Sequence, residues 1–198
     1  EGKIENFNNR ILKKLFFSNP EKVFEKINKT GFKNIAGFHT RNVPHKGHEY
    51  IQKTALDRVD GDCLFISPVL GAKKRGDFKS DIIIDCYNAL IQGGAYDSYP
   101  AVIGGFNTYS RYCGPREAAF TAICRKNFGC SHFIIGRDHT GVADFYDPRD
   151  SQRIFDNLDI GINSIVFNKI VYDQSTGKYL EKSDDSENSN HRELSGTL

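Results

Sequence analysis

Between Gly37 and Tyr50 the sequence reads GFHTRNVPHKGHEY, which gathers three histidines, two basic residues and an asparagine within fourteen positions. The residue types suit anion chemistry. Arg41 can grip an oxyanion through two parallel hydrogen bonds, and His45 and His48, three residues apart, fall near one face of a first helical turn. Gly47 between them allows close approach to the backbone. A helix N-terminus adds unpaired N–H groups that favour negative charge. Together Thr40, Arg41, Asn42, His45 and His48 could hold phosphates and stabilise charge developing on a reacting phosphorus. Two competing readings stand beside this one: ordinary loop and capping histidines, or a zinc site. Zinc would need a third ligand, a helical HExxH or cysteines, and none lies nearby, so no metal ligands are assigned.

A second cluster, IIGRDHTG from Ile134 to Gly141, also ends an apolar run. Arg137 could clamp a phosphate and His139 could donate a hydrogen bond. Asp138 suits orienting Arg137 better than binding an anion, and the Gly-rich turn can cradle an oxyanion. A strand-ending turn with surface charge would look the same. In RYCGPREA, Arg111 to Ala118, Arg111 and Arg116 could reach the site, while Glu117 suits the first turn of a helix. Capping and an internal Arg–Glu pairing compete there with direct catalysis. The basic loop Gly71 to Phe78 could steer anions or simply be solvated, and the terminal Ser195-Gly196-Thr197 could add hydroxyl and N–H donors. Two anion cradles without an evident nucleophile or base suggest direct transfer: a bound anion attacks a nucleotide phosphorus and pyrophosphate leaves.

Such groups need a scaffold that brings them together. Apolar spacing predicts one or two helices over residues 5–29, broken near Ser18-Asn19-Pro20. Strands are expected at Asn34–Phe38, Cys63–Val69, Ala101–Gly105, His132–Ile135, Ser164–Phe167 and Lys169–Asp173. Helices are expected at His48–Leu56, from Asp81 as N-cap, from Pro115 at a first helical position to Asn127, and at Asp150–Leu158. Strands alternating with helices imply an α/β fold with a mostly parallel sheet flanked by helices. In such sheets ligands bind beyond the carboxyl ends of the strands, where both clusters fall. From Gln174 onward the chain is polar and without periodicity, so residues 174–198 are expected to be a partly mobile segment following a catalytic domain over residues 1–173.

Composition narrows the classes. The net charge of +2 argues against a general nucleic-acid binder. No run reaches the roughly 18 apolar residues of a membrane span, so no membrane partner is expected. Five scattered cysteines without a CxxC pair suggest a reduced, cytoplasmic setting. The chain starts at Glu1 and contains no Met, so a piece of a longer polypeptide is expected, fused to further domains or assembled as a homo-oligomer.

TRNVPHKGHEY, GPREAAFTAICRKNFGCSHFIIGRDH and the trailing SGT closely resemble the catalytic domain of the ATP sulfurylase (sulfate adenylyltransferase) family, from about Ile35 to Leu198. HxGH alone would point only to the wider nucleotidyltransferase superfamily. The resemblance implies a Rossmann-like nucleotidyltransferase fold. It also implies adenylyl transfer from ATP to sulfate, giving adenosine 5′-phosphosulfate and pyrophosphate, with Mg²⁺ accompanying ATP. By position, Thr40, Arg41, Asn42, His45 and His48 take catalytic places. Arg41, Asn42, His45, His48, Gly136, Arg137, Asp138, His139 and Ile170 take nucleotide-binding ones, and His39, Arg41 and Thr140 fall in the sulfate pocket. Two residues depart from the pattern: His39 stands where the family has Gln, and Thr140 where it has Ala. His39, if protonated, would bind the acceptor more strongly at lower pH, and Thr140 could narrow the pocket or add a donor. A nucleotidyltransferase with another acceptor, and a non-catalytic nucleotide-binding domain, remain the alternatives.

Overall fold

The structure, a computed structural model, describes residues 20–137, 139–141, 144–182 and 189–194. The expected helical turns before Pro20, together with Asp138 and Ser195 to Thr197, lie outside the described residues.

Five short strands form a parallel sheet. They are β1 (Ile35–Thr40), β2 (Cys63–Pro68), β3 (Ala101–Ile103), β4 (His132–Ile135) and β5 (Asn163–Val166), in the order β3-β2-β1-β4-β5. Register pairs Ile35 with Cys63, Leu64 with Ala101, Ala36 with His132 and His132 with Asn163. The strands read as near-continuous apolar runs because both faces are covered. Ala36, Phe38, Leu64 and Ile66 face a layer carrying Ala55 and Leu56 of α2 (Lys46–Arg58) and Ile83 and Tyr87 of α3 (Ser80–Gln92). Ile35, Cys63, Phe65 and Phe133 face the other way, onto Val23 and Ile27 of α1 (Pro20–Asn28), Ala122 of α4 (Pro115–Asn127) and the adjoining Phe128. Odd-numbered residues of β1 therefore look toward α4 and even-numbered ones toward α2, a parity that sorts the side chains of the site.

The expected α/β architecture with a mostly parallel sheet is the one observed, and several boundaries move. The helix expected from an Asp81 cap begins at Ser80. Lys79 is the N-cap, and Ser80 Oγ donates to the carbonyls of Val69 or Leu70, which ties the helix start to the loop after β2. Asp81 instead accepts from its neighbour Ile82 N–H at 3.0 Å. The helix expected over Asp150–Leu158 is one short turn, α5 (Asp150–Arg153), running into a 3₁₀ turn at Ile154–Asp156. Asn157 and Asp159 favour turn geometry beyond it.

The chain after Gln174 is also corrected. Lys178–Glu181 (β7) and His191–Glu193 (β8) flank β6 (Ile170–Asp173) in an antiparallel sheet, pairing Val171 with Leu180 and with Glu193. These strands are short and polar, so they lack a strong apolar alternation. Arg58 pins this sheet to the main body: it pairs with Glu181 at 2.5 Å, donates to the Val166 carbonyl at 2.9 Å and lies 4.2 Å over the Phe167 ring. Among the described residues no helix is long and apolar enough to cross a membrane.

Phe65 sits at the centre of the sheet, fully buried and 5.4 Å from the Phe128 ring. Phe65→Ala should cost about 3–5 kcal/mol in chemical denaturation. A loss below about 1 kcal/mol would contradict its central place.

Candidate active site

The strand order reverses between β1 and β4. The chain runs outward through β2 and β3, then returns to the other side of β1. The loops after β1 and β4 therefore diverge and leave a crevice at the carboxyl edge of the sheet. A cavity of about 490 Å³ opens there, lined by the β1 loop, the start of α2, the β4 loop, Ser110 and Tyr112, and the segment Asn168 to Ile170 with Leu194. The two motifs that the sequence places apart thus face one space.

His45 is the N-cap of α2. Its extended backbone lets Nδ1 accept from Gly47 N–H at 3.1 Å. An imidazole that accepts at Nδ1 carries its proton at Nε2 when neutral, so His45 has one committed acceptor and one N–H donor. His48 stacks on it, with centroids 3.8 Å apart, and meets Phe38 edge-on at 5.4 Å. Burial, then the charge His45 would carry, pushes the His48 pKa down to about 3, and burial lowers that of His45. Both rings are neutral donors at physiological pH. Gly47 is required at this point: a Cβ there would stand 2.7 Å from Leu194 Cδ1 and about 3.0 Å from the His45 ring.

Arg41 has no carboxylate partner among the described residues. Its Nη1 bonds the Tyr112 hydroxyl, and its guanidinium lies 4.8 Å from that ring, with Lys74 4.4 Å from the same ring. Tyr112 adopts φ +56°, a left-handed conformation uncommon for a bulky residue. Glu117 holds the loop in that shape: its buried carboxylate accepts from Arg111 N–H at 2.9 Å and Cys113 N–H at 3.2 Å. Thr40 lines the cavity, but its hydroxyl donates to the Asn42 carbonyl at 3.1 Å and accepts from Asn42 N–H at 3.2 Å. Thr40 shapes the turn that presents Arg41 and Asn42.

In the β4 loop, Gly136, Arg137, His139 and Thr140 line the cavity, and Ile170 lines it from β6. His139 sits edge-on to Phe133 at 5.5 Å, with Nε2 buried and unpartnered. Burial, then Arg125 and Arg41, lowers its pKa to about 4. Thr140, at φ +58°, directs its hydroxyl to the carbonyls of His139 at 2.7 Å and Gly114 at 3.3 Å. Its one proton is thereby committed, and the expected hydroxyl donor to an acceptor anion is not provided. Gly114 N–H returns a bond to the Thr140 carbonyl at 3.1 Å, which latches this loop to the start of α4.

His39 also lines the cavity, on the odd, α4-facing side of β1. Its surroundings oppose protonation, the condition on which stronger acceptor binding at lower pH was expected. Burial, then the charges of Arg125, His139, Arg41 and Lys73, hold its pKa well below the ordinary value.

Sequence reasoning missed Tyr112, Arg125, Asn168, Lys169 and Leu194. Tyr112 lay inside a quoted motif, but nothing local marks its left-handed backbone. Arg125 also lay inside a quoted motif, within the helix expected to run to Asn127, and nothing in its sequence neighbours marks it for the site. Asn168 and Lys169 lead into β6, an expected strand of which only Ile170 was assigned to the site, and Leu194 follows β8, which was not expected. In the other direction, Arg111 and Arg116 do not line the cavity. Arg111 donates to Thr108 and the Tyr109 carbonyl and lies over the Tyr109 and Phe120 rings.

An open parallel sheet with a donor-rich crevice at its switch point defines an α/β domain of the doubly wound kind, with its crevice where such folds bind ligands. The ATP-sulfurylase family model matches residues 14–198, and the chain belongs to that family. It is 46% identical over 169 residues to a sulfate adenylyltransferase of Pyrococcus abyssi, covering 84% of this chain and 44% of that one. It is 43% identical over 178 residues to a sulfate adenylyltransferase of Halothermothrix orenii, covering 88% and 44%. The chain thus spans less than half the length of these curated relatives. Among solved structures, a hexameric APS kinase from Thiobacillus denitrificans superposes with a TM-score of 0.62 at 17% identity, covering 94% of this chain and 34% of that one, a likeness of fold alone.

The buried neutral histidines generate a pH prediction. Their folded pKa values of about 3 and 4 lie below the ordinary 6.5, so the unfolded chain binds more protons between those limits. Stability contributed by His48 and His139 is therefore present above about pH 6.5 and lost as pH falls through the folded values. Replacing each by Asn should flatten denaturation midpoints against pH over this window, by about one proton per histidine. An unchanged slope would refute their buried neutral state.

Proposed function

We propose that this chain carries the site of an ATP sulfurylase: sulfate attacks the α-phosphorus of ATP, adenosine 5′-phosphosulfate forms and pyrophosphate leaves. The observation that carries this reading is the convergence of Arg41, His45, His48, Arg137 and His139 on one cavity, with no carboxylate or cysteine among its described lining residues. Relatives at 43–47% identity bear the name sulfate adenylyltransferase, which supports the same reading.

The chemistry follows from the donors. The attacking oxyanion is already charged at neutral pH, so no base is needed to activate it. What remains is to bring two anions together and to stabilise the charge that grows on the leaving pyrophosphate. Arg41 and Arg137 supply positive charge on the two walls. His45 Nε2–H and the His48 ring, at the entry to α2, are assigned to the phosphates, where the helix N-terminus adds to the field. Ile170 offers an apolar surface for the base.

Mg²⁺ is proposed to arrive on the triphosphate. The described lining holds cations, imidazoles and neutral groups but no carboxylate, and no group of three or more metal-ligating side chains occurs among the described residues. The protein's own residues here do not build a Mg²⁺ cage, which needs oxygen ligands. The five cysteines are free thiols, in keeping with a reducing compartment.

The test is pyrophosphate release from ATP by the full-length protein, with sulfate, molybdate, selenate or phosphate supplied in turn. Release that depends on sulfate or molybdate is expected, and oxyanion-independent or absent release would overturn the assignment. His45→Ala and His48→Ala should each lower turnover by about 10²–10³-fold, the usual worth of a transition-state donor. Near-wild-type turnover in both would remove them from the phosphate chemistry. Gly47→Ala should lower kcat in the same direction while the fold survives, because its Cβ would collide with the His45 ring and with Leu194. Unchanged kcat would show that the ring position is not critical.

A further inference from the structure

Arg125 is fully buried on the inner face of α4, although arginine is almost never fully buried unless paired. Among the described residues no carboxylate pairs with it. Nη1 donates to Ser67 Oγ on β2, Nη2 lies 3.3 Å from His39 Nδ1 on β1, and Nε has no partner. The guanidinium packs 4.6 Å from the Phe106 ring and 5.3 Å from Phe128. Burial lowers its pKa only to about 10, so it remains charged at neutral pH. The fold makes room for this cation at a specific point. A Cβ at Gly37, two residues before His39 on the same face, would stand 3.2 Å from Arg125 Cγ and 3.0 Å from Cys130 Sγ.

An isolated buried charge is costly, and a guanidinium can only donate. The contact with His39 therefore runs in one direction: Nδ1 accepts. The proton of the neutral ring then sits on Nε2, its remaining polar atom, on a residue that lines the cavity. We propose that Arg125 is a positioning residue for the acceptor side of the site, fixing His39 as a neutral Nε2–H donor to a tetrahedral oxyanion and leaving its own charge uncancelled behind that anion. This rests on the sulfurylase reading above. A carboxamide in place of the imidazole would act in the same sense, accepting from Arg125 at its oxygen and donating at its nitrogen. The groups facing His39 are Arg125 from α4, His139 from the β4 loop, Arg41 from the β1 loop and Lys73 from the β2 loop, and all of them oppose its protonation.

The test has an arm independent of catalysis. In full-length protein labelled with ¹⁵N-histidine, the His39 ring should read as the neutral Nε2–H tautomer from about pH 8 down to about pH 5.5. Arg125→Met should give mixed tautomers and a higher His39 pKa, with Arg125→Lys in between. A wild-type Nδ1–H tautomer, or titration near the ordinary value, would overturn the proposal. In kinetics, Arg125→Met should raise the sulfate KM about tenfold or more while the ATP KM stays within about twofold, and Arg125→Lys should recover part of the loss. His39→Gln should stay near the wild-type sulfate KM where His39→Leu does not. Equal effects on both substrates would also overturn the proposal. If wild-type protein turns over no oxyanion, the sulfurylase reading fails, and the tautomer measurement still decides the role of Arg125.

Discussion

Two cations that shape this site, Arg41 and Arg125, are each held by neutral partners. Arg41 is bonded to a phenol, and Arg125 to a hydroxyl, an imidazole nitrogen and two aromatic faces. A carboxylate at either position would hold the side chain more tightly, but it would also cancel the field the cavity offers an anion. The neutral partners fix geometry and leave charge unspent. Lysines are partnered differently: Lys46 and Lys53 both pair with Glu49, and Lys169, at the edge of the cavity, pairs with the exposed Glu193. The described lining of the cavity is free of carboxylates.

This constraint explains why loops that look like connectors are so closely tied down. Arg41 has the right direction only if Tyr112 does, and Tyr112 occupies a strained backbone region. Glu117 offsets that strain with two backbone N–H bonds from one buried carboxylate. The Gly114–Thr140 bonds then join the same loop to the turn carrying Arg137 and His139. The two anion-facing loops are thus one mechanical unit hung from the start of α4. Thr140, which the resemblance placed in the sulfate pocket, directs its hydroxyl to the carbonyls of this latch.

The scaffold was largely legible because a parallel sheet covered on both faces writes itself as apolar runs separated by helices, and Cys63–Pro68 or His132–Ile135 could be placed within a residue or so. The expectations failed where local signals compete. Asp81 is a good capping residue, yet Ser80 is drawn to the carbonyls of Val69 or Leu70, and the N-cap falls two residues earlier, at Lys79. The strands Lys178–Glu181 and His191–Glu193 carry too little apolar alternation to announce themselves, being held by backbone pairing to β6 and by Arg58. Of the site, the residues at strand ends and helix entries were visible, since their position and chemistry coincide. Tyr112 and Arg125 were not, because their roles depend on a positive φ and on which face of β1 a distant helix covers.

The division of labour between arginine and histidine follows from the same electrostatics. On the proposed sulfurylase reading the cavity takes two anions and needs permanent positive charge, which guanidinium supplies at any physiological pH. It also needs short, directional donors that do not compete with one another. Protonated imidazoles beside Arg41, Arg125 and Arg137 would repel those cations and each other, and the lowered pKa values of His39, His48 and His139 record that repulsion together with burial. Kept neutral, each ring can accept on one side and donate on the other. His45 does so between Gly47 N–H and the cavity, and His39 has the same option between Arg125 and the cavity. The histidines act as oriented dipoles set among fixed charges, so their tautomers matter more to this site than their protonation.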